Sequence, residues 1–339
     1  MKKRIFGWAV CVVALMALVC AAGAVSLAVG STGIGLKGIV SALRGKGDAT
    51  AYAILFDIRL PRILLAFAVG GALSLSGVLA QGVFRNPLVE PYTLGISGGA
   101  ALGVCVSVLL KLHDRLGLVS LPLSGFLGAV LIIVLVYALS RRNGILKIQG
   151  LLLTGVMISF ICSSLVMLIM SISRAEDLHG IVFWIMGSLE EPNWLLIRWM
   201  LTVSVFGLCV SYLFCKDLNA ISLGEEEAAH LGVNVERTKL MLFFLTSLLA
   251  GCSVAVSGVI GFVGLAIPHL VRMVAGRDYR IVLIASFLTG GAFLILCDTL
   301  SRTVIAPLEL PVGVITGIVG GSLFVYALAK GRDAARGKQ

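Results

Sequence analysis

Leu60-Pro61-Arg62-Ile63-Leu64-Leu65-Ala66-Phe67-Ala68-Val69-Gly70-Gly71-Ala72-Leu73-Ser74-Leu75-Ser76-Gly77-Val78-Leu79-Ala80-Gln81-Gly82-Val83-Phe84-Arg85 is the stretch on which the fold turns. It is apolar from about 63 to 83, matching the roughly 20 residues an α-helix needs to cross the hydrocarbon of a bilayer. Similar runs recur near 5–30, 93–112, 117–139, 149–172, 194–214, 239–259, 260–275, 281–299 and 312–330, which predicts ten spans. The run at 260–275 is short and holds Pro268 and His269, the marks of a broken or partial crossing. Of the 339 residues, 59% are hydrophobic and 13% charged, against about 25% charged in an ordinary soluble domain. No stretch between the runs is long enough for a soluble domain. The reading is an all-α integral membrane protein with one transmembrane domain over 1–339, so any soluble work, nucleotide hydrolysis included, would have to come from partner chains.

The quoted stretch also repeats. At an offset of 181 residues, Gly70 aligns with Gly251, Ser76-Gly77-Val78 with Ser257-Gly258-Val259, Pro87 with Pro268 and Gly95 with Gly276. An odd number of crossings separates the second predicted span from the seventh, so the two copies run in opposite directions. Inverted repeats are a transporter signature, and halves at about 60–175 and 240–330 follow.

The net charge of +10 is scattered in short loops without a basic stripe or stacking aromatics, so no nucleic-acid partner is expected. Met1-Lys2-Lys3-Arg4 ahead of the first apolar run resembles a secretory signal, but a run of about 25 residues predicts an uncleaved first span. With the N-terminus inside, Arg85, Arg141, Arg142, Lys147, Lys216, Arg237, Lys239, Arg277, Arg280 and the tail Lys330, Arg332, Arg336 and Lys338 all fall on the cytoplasmic side of the membrane, as does the C-terminus. Arg59, Arg62 and Arg302 fall on the other side, which makes them candidates for function or for anchoring on lipid phosphate.

Several chemistries are excluded. There is no Gly-x-x-x-x-Gly-Lys-Ser/Thr loop for ATP, and no His-Glu-x-x-His pair. Gly95-Ile96-Ser97-Gly98-Gly99 fits a nucleophile elbow in letters only, because that motif needs a strand-to-helix turn. The eight cysteines and the dispersed His113, His179, His230 and His269 show no metal-ligand spacing, so no metal is expected. An ion-coupled carrier would hold ionisable groups near the midplane, whereas Asp298 and Glu309 fall at predicted span ends. Energy is therefore expected from outside the membrane.

In the largest cytoplasmic loop, about 215–238, Leu223-Gly224-Glu225-Glu226-Glu227-Ala228-Ala229-His230-Leu231-Gly232 predicts a short helix with acidic residues in its first turn. Its Leu223, Ala228, Ala229 and Leu231 keep an apolar component suited to a partner's groove.

With these motifs in view, the chain resembles the FecCD family of ABC permeases for iron-siderophore, haem and cobalamin import. The resemblance rests on Arg59-Leu60-Pro61-Arg62, Gln81-Gly82-Val83-Phe84-Arg85-Asn86-Pro87-Leu88, Pro91 with Leu94-Gly95-Ile96-Ser97-Gly98-Gly99-Ala100, Trp184-Ile185-Met186-Gly187-Ser188-Leu189, Gly261-Phe262-Val263-Gly264-Leu265-Ala266-Ile267-Pro268-His269 and Glu309-Leu310-Pro311-Val312-Gly313. It implies a ten-span subunit of the bacterial inner membrane that forms a homodimer, with two cytoplasmic ATPase subunits that bind the ATP and Mg, and an extracytoplasmic binding protein. No cofactor is implied in this chain.

The resemblance further implies that Arg59, Arg62 and Arg302 meet acidic residues of the binding protein, and that Leu223 to Gly232 is the helix coupled to the ATPases. The cargo path implied draws on Thr154, Met157 and Ile158 of the fifth span and on Phe183, Trp184 and Met186 of the short helix after it. At the cytoplasmic entry of the fifth span, Ile148 and Gln149 form a candidate gate. The cobalamin permease of the family has small hydroxyl residues there, a departure that points away from cobalamin. The cargo expected is a ferric siderophore, with haem, cobalamin and molybdate as alternatives.

Overall fold

The computed structural model describes residues 2–30, 49–112, 117–142, 145–146, 148–190 and 193–336. Its first long helix is α1, Lys2–Ala28; a short helix α2, Ala49–Ala53, runs through a π-helical turn, Ile54–Arg59, into α3, Leu60–Phe84. Next come α4, Ile96–Leu109, α5, Ser120–Ser140, and α6, Ile148–Ile172, with α5 and α6 joined by a two-residue antiparallel pairing of Arg141-Arg142 with Ile145-Leu146. The remainder is α7, Ala175–Met186; α8, Trp194–Leu213; α9, Cys215–Leu223; α10, Glu225–His230; α11, Val235–Ser257; α12, Val263–Ala275; α13, Tyr279–Thr303; and α14, Val312–Arg336. Eight of the described helices are long and apolar enough to cross a membrane, and α4 and α12 are shorter apolar helices.

The third and eighth predicted spans are the two that come out short. The chain opens the third with a 3-10 turn, Pro91–Leu94, and Gly95 at φ +87° separates that turn from α4. A side chain at Gly95 would be strained in this left-handed conformation, so glycine is what lets the segment turn here. In the eighth, α11 ends at Ser257, and Phe262 takes φ +67° before α12 begins, a conformation a bulky residue holds only when its surroundings impose it. The two breaks meet at one point, where Glu90 ahead of the 3-10 turn accepts the Phe262 N–H ahead of α12, while residues 85–88 stay exposed. The ninth run extends as α13 to Thr303 rather than ending at 299, so Asp298 sits inside the helix instead of at its end.

α3 is apolar all round and is buried over 89% of its spanning window, so it forms the centre of the bundle. Lipid supplies no hydrophobic drive for helix association, so contact depends on close backbone approach. A Cβ at Gly70 would lie 2.3 Å from the carbonyl oxygen of Gly290 on α13, and one at Gly77 would lie 1.9 Å from that of Gly264 on α12. A second core joins α4, α5, α6 and α11 through Ile96, Ala129, Leu151 and Val254. α6 and α14 keep most of their apolar surface open, with Phe160, Met167, Ile318 and Val325 among the exposed residues.

Candidate functional site

The three arginines on the wrong side of the charge pattern converge, yet they do not face outward. Arg59, Arg62 and Arg302 are 3%, 4% and 5% exposed. Arg62 lies in the first turn of α3, and Arg302 and Asp298 lie one turn apart on α13, so packing α3 on α13 brings them together. The Nε–H of Arg62 donates to Asp298 Oδ1 at 2.7 Å and its Nη1–H to Glu309 Oε2 at 2.7 Å. The Nε–H of Arg302 donates to Asp298 Oδ2 at 3.1 Å, and its Nη2–H to the Ser26 hydroxyl at 2.8 Å. Arg59 donates from Nη1 to the Leu27 carbonyl at the end of α1. The three arginines expected to dock the binding protein thus lie in an internal ion cluster tying α1, α3, α13 and the 304–311 loop. Its physical reason is the cost of an unpaired charge in an apolar bundle, which each group escapes by pairing.

Asp298, Glu309 and Ser26 were missed as members of this group. Asp298 was legible as the i−4 neighbour of Arg302 on one helix. Nothing local to Ser26 or Glu309 signals a partner more than 200 residues away.

In the loop expected on the cytoplasmic side, Gly224 precedes α10, as the run of glutamates predicts. Leu223, Leu231, Glu226, Glu227, Ala229, His230 and Gly232 are exposed, but Ala228 is buried with Ala220 and Ile221 in a small core of its own, and Gly224 is also buried. Glu225 pairs with Lys239 of α11, so one of the three glutamates holds the element in place. The pair α9–α10 is also tied to α13: the Asn219 amide donates to Asp278 Oδ1 at 3.0 Å and accepts the Tyr279 N–H at 3.1 Å.

The path residues divide. Met157 is 49% exposed, and Phe183 and Met186 are exposed, while Thr154 and Trp184 are half-buried. Ile158, also expected on the path, differs: adjacent positions on a helix point about 100° apart, and this one is buried in the α4–α5–α6 core. Phe183 and Trp184 border an open cavity of about 530 Å³ that Leu65, Pro122, Asn193 and Ser257 also line. Of the candidate gate, Gln149 is exposed at the start of α6; the side chain of Ile148 lies outside the described set, as do Lys147 and His113.

Two buried polar ties flank the break before α12. Glu90 accepts the Phe262 N–H at 2.9 Å, which places a carboxylate at the positive end of the α12 dipole. Burial holds the Glu90 carboxyl above the ordinary carboxylate range, and the Phe262 N–H opposes that shift. The Gln81 amide donates to the Gly264 carbonyl at 3.3 Å, and Arg272 donates to the Gln81 oxygen.

The sequence profile of the FecCD transport family matches residues 16–330. This chain belongs to the FecCD transport family. It is 41% identical over 286 residues to the hemin transport system permease protein HmuU of Yersinia pestis, covering 84% of this chain and 85% of that protein. It is 38% identical over 281 residues to the Fe(3+) dicitrate permease FecD of Escherichia coli, covering 83% and 86%. The cobalamin permease BtuC of Halobacterium salinarum is 37% identical over 279 residues, covering 82% and 74%. A solved structure titled as an inward-facing, metal-chelate type ABC transporter superposes with a TM-score of 0.83 at 32% identity, covering 95% of this chain and 99% of that one. This FecCD protein is the membrane permease of an ABC importer, working with separate ATPase subunits and a substrate-binding protein and hydrolysing no ATP itself.

Proposed function

We propose that this FecCD permease imports an iron chelate of the ferric-siderophore class across the bacterial inner membrane by alternating access. The observation that carries the cargo class is the near full-length likeness to the metal-chelate type transporter, with a hemin and a ferric dicitrate permease among the relatives. Haem is the second reading, favoured by the 41% identity to the hemin permease.

Two copies form a homodimer with their termini in the cytoplasm, across the open apolar faces of α6 and α14. Cargo passes between the copies beside Thr154, Met157, Phe183, Trp184 and Met186, whose Met and aromatic groups adapt to a bulky, partly apolar ligand. The exposed Leu223 and Leu231 of the α9–α10 element seat against the ATPases. Arg59, Arg62 and Arg302 meet acidic residues of the binding protein.

The test is uptake into proteoliposomes holding the whole complex and its binding protein, offered ferric siderophore, haem, cobalamin or molybdate with and without ATP. Siderophore uptake that requires ATP is the expected result. ATP-dependent uptake of haem alone replaces the cargo, and uptake that persists without ATP overturns the mechanism.

A further inference from the structure

The arginine cluster has an exchangeable member. Asp298 is shared between Arg62 and Arg302, and its side chain is 1% exposed, beyond the reach of any partner. Among the described residues Glu309 pairs with Arg62 alone, its side chain is 25% exposed, and it rides on the 304–311 loop rather than on a helix. That loop is pinned at its far end by the Leu310 N–H on the Ser301 carbonyl, and its Val304, Ile305 and Leu308 are exposed apolar side chains. Beside the cluster there is thus an apolar contact surface, and at its edge one carboxylate sits on a guanidinium that a second carboxylate could take.

Taking the three arginines as the docking site proposed above, we infer that Glu309 is a built-in competitor: it occupies the place on Arg62 that a carboxylate of the binding protein takes on docking, and so sets how tightly that protein is held. Arg62 keeps Asp298 throughout, so its charge is never left unpaired in the bundle. Docking then exchanges one Arg–carboxylate pair for another, and its net gain is small by construction. Such balance suits a partner that has to leave after each delivery. An unoccupied site also stays neutralised between deliveries.

The experiment is titration of the complete transporter in nanodiscs with the substrate-binding protein of the same importer, at two salt concentrations. Glu309→Gln removes the competitor and adds net positive charge, so Kd falls by about three- to tenfold at low salt and depends more steeply on salt. Glu309→Asp keeps the charge and stays within about twofold of the wild type, on the scale of an exposed ion pair. In an Arg62→Gln background the gain from Glu309→Gln disappears, because the exchange has lost its guanidinium. A Kd for Glu309→Gln that is unchanged or raised, with Arg62→Gln still weakening docking, overturns the competitor and leaves Glu309 as a brace for Arg62. If Arg59→Gln and Arg62→Gln both leave Kd unchanged, the docking site itself is elsewhere.

Discussion

Replacing Asp298 with alanine tests whether the ion cluster holds the bundle together. The carboxylate is the hub: it accepts Arg62 Nε–H at 2.7 Å and Arg302 Nε–H at 3.1 Å, with its side chain 1% exposed. Removing one partner of a buried ion pair costs about 3–5 kcal/mol, because the remaining charge stays in the apolar interior. Arg62 still has Glu309, and Arg302 still has Ser26, so the low end of about 3 kcal/mol applies. At about 2 °C per kcal/mol for a large domain, the apparent Tm falls by about 6 °C. Asp298→Asn keeps an acceptor oxygen but only one charge-neutral half of the hub, and the fall is smaller. Thermal scans of the detergent-solubilised complex, followed by size-exclusion fluorescence at one fixed scan rate, measure this without assuming reversibility. An Asp298→Ala protein that melts within about 1 °C of the wild type would refute the clamp.

Two further outcomes follow from packing and exposure. Gly70→Ala meets the Gly290 carbonyl at 2.3 Å and should cost about 1–3 kcal/mol, whereas Gly251→Ala, with only the Ala129 Cβ at 3.6 Å, should be neutral or slightly stabilising; Tm values in the same scan compare them. Leu223→Asp with Leu231→Asp changes only exposed side chains, so Tm stays at the wild-type value while ATP-driven uptake and the stimulation of ATPase activity by the binding protein are lost; retained uptake would remove these residues from the coupling surface.

That contrast between Gly70 and Gly251 also measures how far local sequence reaches. The two glycines occupy the same place in the repeat, and Ser76-Gly77-Val78 and Ser257-Gly258-Val259 share their letters. In the structure the first tripeptide is buried mid-helix in α3, while the second ends α11 with Gly258 at φ +68°. Identical residues thus do different work, one admitting a neighbouring helix and the other stopping its own.

The apolar runs determined the all-helical membrane class and the place of each long helix to within a few residues, because crossing hydrocarbon demands length and internal backbone pairing, and both are local properties. The short helix behind Gly224 was likewise legible, its acidic first turn and glycine start being local signals. Charge asymmetry singled out Arg59, Arg62 and Arg302 for the same reason. What it could not reveal is that they point inward. Arg62 meets Asp298 across 236 positions of chain, and Arg302 meets Ser26 across 276. Pairing at that separation depends on which helix faces which. In this bundle the facing is decided by glycine contacts that only the assembled fold brings together, so the ion cluster, the turn of Ile158 into the core and the capping of α12 by Glu90 belong to the tertiary structure alone.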